Sequence, residues 1–275
     1  MTPALWLLSL YATATAFGGA ISGIGGATLL VPVLLLSGMD ILDAAPLGLL
    51  SVAATSLAAG GRQLDAGLVH HRIGLTVELS ASSFAIVGAL ASTTLPESWL
   101  ARALGLGAFA GAMVTLSRSG VRNLPNEAFL DDAPGEWPGT LGGTYHYEGR
   151  AVPYQAQRVP LGLAVAAVAG AISGMAGVGG GFLKTPAMSE VMKVPVKVAA
   201  ATSTFTTGIT AASAILVFTG QGRLVVVPGA AVVLGALAGA AIGSRVQTAI
   251  PPSSARYVTG ALLLVVAVVV IWRSV

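Results

Sequence analysis

Residues 173–186, SGMAGVGGGFLKTP, set Gly174, Gly177, Gly179, Gly180 and Gly181 just ahead of Lys184 in an otherwise apolar stretch. A helix that starts after such a run points its free N–H groups and the positive end of its dipole at the break, and glycine lets a ligand approach the backbone closely. That is anion-binding chemistry. Lysine at mid-membrane costs about 2.5–3.5 kcal/mol, so Lys184 calls for an acidic partner, an anionic ligand or water, unless its long stem snorkels to the interface. A similar run, SGIGGAT, supplies Ser22, Gly23, Gly25, Gly26 and Thr28 near the N-terminus. Small residues at these spacings also serve helix packing. Clustering ahead of a short apolar segment favours a site.

Two further constellations bear on the same chemistry. In AAATSTFTTGIT, residues 199–210, Thr202, Thr206 and Thr210 lie at i, i+4 and i+8, so with Ser203 beside them their hydroxyls could donate to an oxyanion. The alternative is that they bond back to the preceding turn and bend the helix. Ser51, Thr55 and Ser56 form a thinner counterpart. Glu78 stands about one and a half turns beyond Arg72 and could carry a coupled proton or pair with a buried cation. So shallow a carboxylate is expected to reach the interface instead.

Other chemistries lack their residues. GVGGGFLKT is not a phosphate loop, because Phe182 and Leu183 separate the glycines from Lys184. His70, His71 and His146 have no metal-ligand spacing, and the first two read as part of a basic turn with Arg72. The absence of cysteine excludes thiolate metal sites and cysteine catalysis. No metal, cofactor or nucleic acid is expected, and no catalytic residue is assigned.

These residues sit in a chain of 275 residues that is 55% hydrophobic and 9% charged, with a mean hydropathy of +0.83. Too few polar groups remain to cover a soluble globule, so the fold class is an all-α polytopic membrane protein. Apolar segments run over 4–22, 27–38, 43–61, 73–95 and 99–117, then 159–176, 180–191, 196–219, 224–248 and 254–272. The first is read as a mature helix, since no lysine or arginine and no cleavage pattern accompany it. Residues 119–158 between the two sets carry Glu127, Asp131, Asp132, Glu136 and Glu148, and TYHYEGRAVPYQAQR within them suggests a small turn or hairpin.

The two sets superpose at an offset of 154 or 155 positions: Gly23, Gly25 and Gly26 fall on Gly177, Gly179 and Gly180, Pro32 on Pro186, Gly74 on Gly229, Gly88 on Gly243 and Pro96 on Pro251. This series argues for duplication. The expected organisation is a first transmembrane repeat over 1–118, a central cytoplasmic linker over 119–158 and a second repeat over 159–275. Segments 28–37 and 181–191 are too short to span, so each repeat reads as a short helical hairpin with a glycine-rich break followed by three transmembrane helices. With that count the repeats are inverted. Arg62, Arg72, Arg118, Arg122, Arg150, Arg158, Lys193, Lys197, Arg245 and Arg256 then share the cytoplasmic face, leaving Arg102, Arg223 and Arg273 opposite and both termini outside. Irregular backbone at that depth survives only under cover of protein or water, so the two breaks are expected to meet inside.

AGAISGMAGVGGGFLKTPAM followed by VPVKVAAATSTFTTGITAASAILVFTGQG resembles the second-half signature of the TauE/SafE (sulfite exporter) family of membrane permeases. GGAISGIGGATLLVPVLLL resembles its first-half copy, with Ala27 where the family commonly has a third glycine. The resemblance implies a carrier of small sulfur anions, such as sulfite or sulfonates like sulfoacetate, in the cytoplasmic membrane of a bacterium or archaeon. The expected function is a secondary transporter working by alternating access and coupled to protons or sodium. A passive anion channel and an intramembrane enzyme are the alternatives. Ser22, Gly23, Gly25, Gly26, Thr28, Gly177, Gly179, Gly180, Gly181, Lys184, Thr202, Ser203 and Thr206 are the candidate substrate ligands, and Glu78 the candidate coupling residue.

Overall fold

A computed structural model describes residues 4–116, 135–147, 150–249 and 251–274. Arg118, Arg122, Glu127, Asp131, Asp132 and Glu148 of the central stretch lie outside the described residues. Hydrocarbon offers no partner for backbone polar groups, so the apolar runs satisfy them internally as helices. In the first half these are α1 (Leu5–Ser22), α2 (Gly26–Leu36), α3 (Ile41–Asp65), α4 (His71–Ala91) and α5 (Glu97–Leu116). In the second they are α6 (Val159–Ala176), α7 (Gly181–Pro186), α8 (Val196–Gly220), α9 (Val226–Ala249) and α10 (Pro252–Ser274).

Among the described residues, seven helices are long and apolar enough to cross a membrane. Leu57, Leu79, Leu216 and Leu234 stand exposed on the outer surface, where lipid accounts for them. Both hairpins have unequal arms, as the segment lengths imply. Their first arms, α1 and α6, have 18 residues each, about 27 Å at ~1.5 Å per residue. Only the second arms are short: α2 has 11 residues, and α7 has 6 before Pro186 leads into a π-helical turn, Ala187–Val191. Proline removes an N–H from the ladder, which explains why regular α geometry stops there.

Small residues set the helix contacts. Gly235, Gly239 and Gly243 of α9 lie flush on the backbones of Ser9, Thr13 and Phe17 of α1, so the two helices advance in step. Gly170 and Gly174 of α6 lie in the same way on Ala81 and Ala85 of α4. α5 and α10 pack with opposite senses, Gly105 on Ile271 and Gly260 on Leu116. At the centre α3 crosses α8, where Ser56 Oγ donates to Phe205 O at 2.7 Å. Exchanging each helix for its counterpart in the other half maps the α1–α9 contact onto α6–α4, and α3–α9 onto α8–α4.

The central stretch contributes a three-stranded antiparallel sheet, β1 (Gly135–Glu136), β2 (Gly142–Tyr147) and β3 (Arg150–Gln155), in the order β1-β2-β3. The expected hairpin is β2–β3. Tyr145 and Tyr154 bury their rings in one cluster with Leu68, Ile73, Met188 and Met192, which seats the sheet over the start of α4 and the end of the π turn. Gln157 N donates to Met192 O at 2.8 Å, fastening the exit from the sheet to the same turn.

A Cβ on Gly239 would collide with the Thr13 carbonyl. Gly239→Leu is therefore expected to push α1 from α9 and to lower stability by at least about 1–3 kcal/mol. Thermal unfolding in detergent measures this, and an unchanged midpoint would refute the close contact.

Candidate functional site

The two glycine breaks touch. Gly23 and Gly25 in the first and Gly177, Gly179 and Gly180 in the second all have φ between 72° and 83°, a region that other L residues rarely adopt. Thr28 Oγ1 donates to Ile24 O at 2.8 Å and across to Val178 O at 3.2 Å. Thr185 Oγ1 returns the bond, donating to Gly23 O at 2.7 Å. Gly181 lies against the Ile24 carbonyl, and Val52 of α3 packs between Gly25 and Gly179. Ala45 of α3 closes over Gly177, and Ala200 of α8 over Gly23. Each break is thus covered by the other and by one of the two crossing central helices.

Lys184 is fully buried, and its partner is Glu78, itself 2% exposed. Lys184 Nζ lies 2.7 Å from Glu78 Oε2 and 2.8 Å from Thr210 Oγ1. Thr210 donates onward to Glu78 Oε1, which also accepts from Ser82 Oγ at 2.7 Å. Contrary to expectation, Glu78 does not reach the interface, because α7 and α8 both supply it with buried donors. Burying two charges costs several kcal/mol each, and their attraction offsets this only when hydrogen bonds satisfy the remaining valences. Here Thr210 and Ser82 do so.

The other candidate residues divide. Ser22 Oγ bonds back to Gly18 O at 2.8 Å and is engaged in its own helix. Thr202 and Thr206 turn their methyl groups toward Gly74 of α4, and Thr202 Oγ1 accepts from His70 N at 2.9 Å. Ser203 Oγ is buried without a hydrogen-bond partner among the described residues. The expected threonine face therefore lies along α4, with its third member, Thr210, on the ion pair.

Ser51 and Thr55 hold a place the thinner hydroxyl set only hinted at. A Cβ built on Gly26 would stand 3.1 Å from Ser51 Oγ and 3.0 Å from Thr55 Oγ1. The 155-residue offset that sets Gly74 on Gly229 also sets Ser51 on Thr206 and Thr55 on Thr210, so the repeat itself was the available signal.

His70 is a second residue whose role sequence did not reveal. It caps α4, accepting from Ile73 N through Nδ1 at 3.2 Å, while Nε2 lies 3.0 Å from Gly142 O on β2. Those partners require neutral imidazole with its proton on Nε2. Burial, outweighing the attraction of Glu136, pushes the ring below its ordinary value of 6.5. Glu136 accepts from both the backbone N and Nδ1 of His71. Burial pushes the Glu136 carboxyl up, but the two histidines together hold it below the usual carboxylate range.

The described residues contain no group of three histidines, cysteines or acids that could hold a metal. Fold and interior together define a multi-pass α-helical membrane protein in which two helical hairpins meet at their glycine breaks and α7 of the second carries one member of a buried ion pair. The chain belongs to the Sulfite exporter TauE/SafE family, whose pattern matches residues 8–270. Membership makes it a membrane transporter of sulfur anions and not an enzyme. No curated protein and no solved structure matches the chain.

Two outcomes follow from the geometry. Lys184→Met strands the Glu78 carboxylate and is expected to cost about 3–5 kcal/mol, whereas adding Glu78→Gln should recover most of the loss; equal unfolding midpoints for the single and double variants would contradict the pairing. Because the undocked His70 takes up a proton more readily than the docked one, its contribution to sheet docking is complete above its ordinary value of 6.5 and is lost as the pH falls below it. Hydrogen-exchange protection relative to the intrinsic rate at each pH should fall across residues 142–147 and 150–155 between about pH 7.5 and 5.5. His70→Gln should flatten that fall.

Proposed function

We propose that the protein moves a small sulfur oxyanion or organosulfonate across the cytoplasmic membrane of a bacterium or archaeon as a secondary transporter, by alternating access about the paired breaks. The observation that carries this reading is the contact of two hairpin breaks inside the protein, with a buried, hydrogen-bonded ion pair on the second. Discontinuous helices at a repeat interface are the usual setting for transporter binding sites, with half-helix N-termini turned toward anionic groups. Gly25, Gly26 and Gly179 to Gly181 are then the backbone approach to the anion, with Lys184 as the reserve of positive charge.

The two halves are read as inverted repeats. Support comes from helices α1 and α9, which advance in step, and from their counterparts α6 and α4, which do the same. Since α9 and α4 are themselves counterparts, one half runs opposite to the other if α3 and α4 are antiparallel neighbours and α3 runs with α9. Leu50 beside Gly229 and Gln63 bonded to Gln247 support the last condition. On this reading the termini face outward and the three-stranded sheet lies in the cytoplasm.

Glu78 is the coupling residue we favour. Protonated, it no longer holds the Lys184 ammonium by charge, and the lysine is freed for an anion. Coupling of substrate to a proton thus needs no group beyond those already paired.

Reconstituted vesicles test the whole reading. Uptake of sulfite, or of a small sulfonate, is expected to saturate and to run uphill under an imposed pH gradient, and Glu78→Gln should remove the response to the gradient. Thiosulfate, sulfate and a carboxylate tested alongside define selectivity. Flux that never saturates and never exceeds equilibrium would identify a passive channel and overturn the carrier mechanism; recovery of a chemically altered solute would point to an enzyme.

A further inference from the structure

The two breaks are alike in backbone and unlike in what their polar side chains are doing. At the second, the charges and hydroxyl near the start of α7 are consumed: Lys184, Glu78 and Thr210 bond one another. At the first, Leu30 stands where the 154-residue offset puts Lys184, and the 155-residue offset that holds further along the chain puts Ser51 and Thr55 at Thr206 and Thr210. What remains is the start of α2, an 11-residue helix whose first N–H groups have no preceding turn to bond into.

Ser51 supplies an observation independent of the helix end. Its side chain is fully buried, and its Oγ has no hydrogen-bond partner among the described residues. It is aimed at the helix start, 3.1 Å from where a Cβ on Gly26 would stand. Thr55, beside it, spends its own proton on Ser51 O at 2.7 Å, so the Ser51 hydroxyl is the donor still available. Buried hydroxyls are ordinarily satisfied, and an unsatisfied one packed against the first residue of a helix leaves a donor for an incoming acceptor. The neighbouring Gly25 meets only the tip of Val52 at 3.6 Å on its Cβ side, an ordinary van der Waals contact.

We infer that Ser51 is a substrate ligand and that the anion seats on the first break, held by the Ser51 hydroxyl and the N–H groups of Gly26 and Ala27, while the second break holds the charge switch. This rests on the transport reading above and divides its labour between the halves. The ligand class is a small oxyanion with at least two acceptor oxygens on one face, as in sulfite or a sulfonate headgroup. An anion so held would make no direct demand on Lys184 until the Glu78 pair opens.

Sulfite is the probe for the test, with the full-length protein in detergent and in vesicles. Ser51→Ala is expected to raise the sulfite Kd and the transport KM about tenfold while leaving the melting point without sulfite unchanged or higher, since the variant loses an unsatisfied hydroxyl. The upward shift in melting point that sulfite gives the native protein should shrink accordingly. Ser173, whose buried Oγ is also unpartnered but sits on α6 one turn before the second break, provides the comparison. Ser173→Ala is expected to change the sulfite Kd less than twofold. A Kd within twofold of native for Ser51→Ala, an equal loss in Ser173→Ala, or a lower melting point without sulfite would overturn the assignment; if the alanine variant does not fold, Ser51→Cys is read by the same criteria. Native protein that neither binds nor moves sulfite or the sulfonate overturns the transport reading and this inference with it, whereas native transport with an unaffected Ser51→Ala overturns the inference alone.

Discussion

Hydrocarbon cannot hydrogen-bond to an unwound peptide, and that constraint governs the centre of this protein. Each half breaks its helical hairpin, at residues 23–25 and 177–180, and neither break could persist facing lipid. They persist because each covers the other. Thr28 reaches the Val178 carbonyl and Thr185 the Gly23 carbonyl, so two hydroxyls stitch the breaks together in opposite senses. Ala45 and Ala200 complete the seal because their small side chains let α3 and α8 approach the glycine backbone. Pulling the halves apart at this point would bare carbonyls that only water or a polar ligand could satisfy. Under the transport reading, access to the centre therefore accompanies hydration or ligand entry, and the breaks are better moved as one unit than separated.

The Lys184–Glu78 pair obeys the same economy with charges. Lys184 comes from the short α7, Glu78 from α4 and Thr210 from α8, so the network joins three elements at one point. Its net contribution to stability is small, because desolvation nearly offsets attraction, but breaking one partner is costly. Under the transport reading the pair serves as a switch, because neutralising the carboxylate releases the ammonium from its partner. Leu30 stands at the 154-residue offset from Lys184, so the pair is confined to one half of the chain.

Much of this frame was written in residue types. Helix positions follow from apolar runs because backbone satisfaction leaves no alternative, and the breaks follow from glycines whose positive φ no other residue adopts easily. The contact between breaks could be argued from depth and duplication. What local pattern could not give was partnership between elements far apart in sequence. Glu78 looked shallow because it was measured along its own helix from Arg72, whereas its burial depends on α7 and α8 folding over it. The threonine face on α8 was real as a periodicity, yet its orientation depended on α4. Ser51 and Thr55 form only a thin hydroxyl set in sequence because their significance lies in packing against Gly26, not in their number.

His70 illustrates the same limit from outside the helical core. Its neighbours in sequence, His71 and Arg72, suggest a solvated basic turn, but burial under the sheet changes which protonation state the site accepts. Neutral imidazole gives one acceptor and one donor, matched here to Ile73 N and Gly142 O. A second proton on Nδ1 would set N–H against N–H at the start of α4 and abolish the cap. The backbone N of this same residue holds Thr202, two turns before Thr210 on α8. The sheet is therefore joined through one residue to the helix that carries part of the buried ion network, and the protonation that disfavours sheet docking acts at that joint.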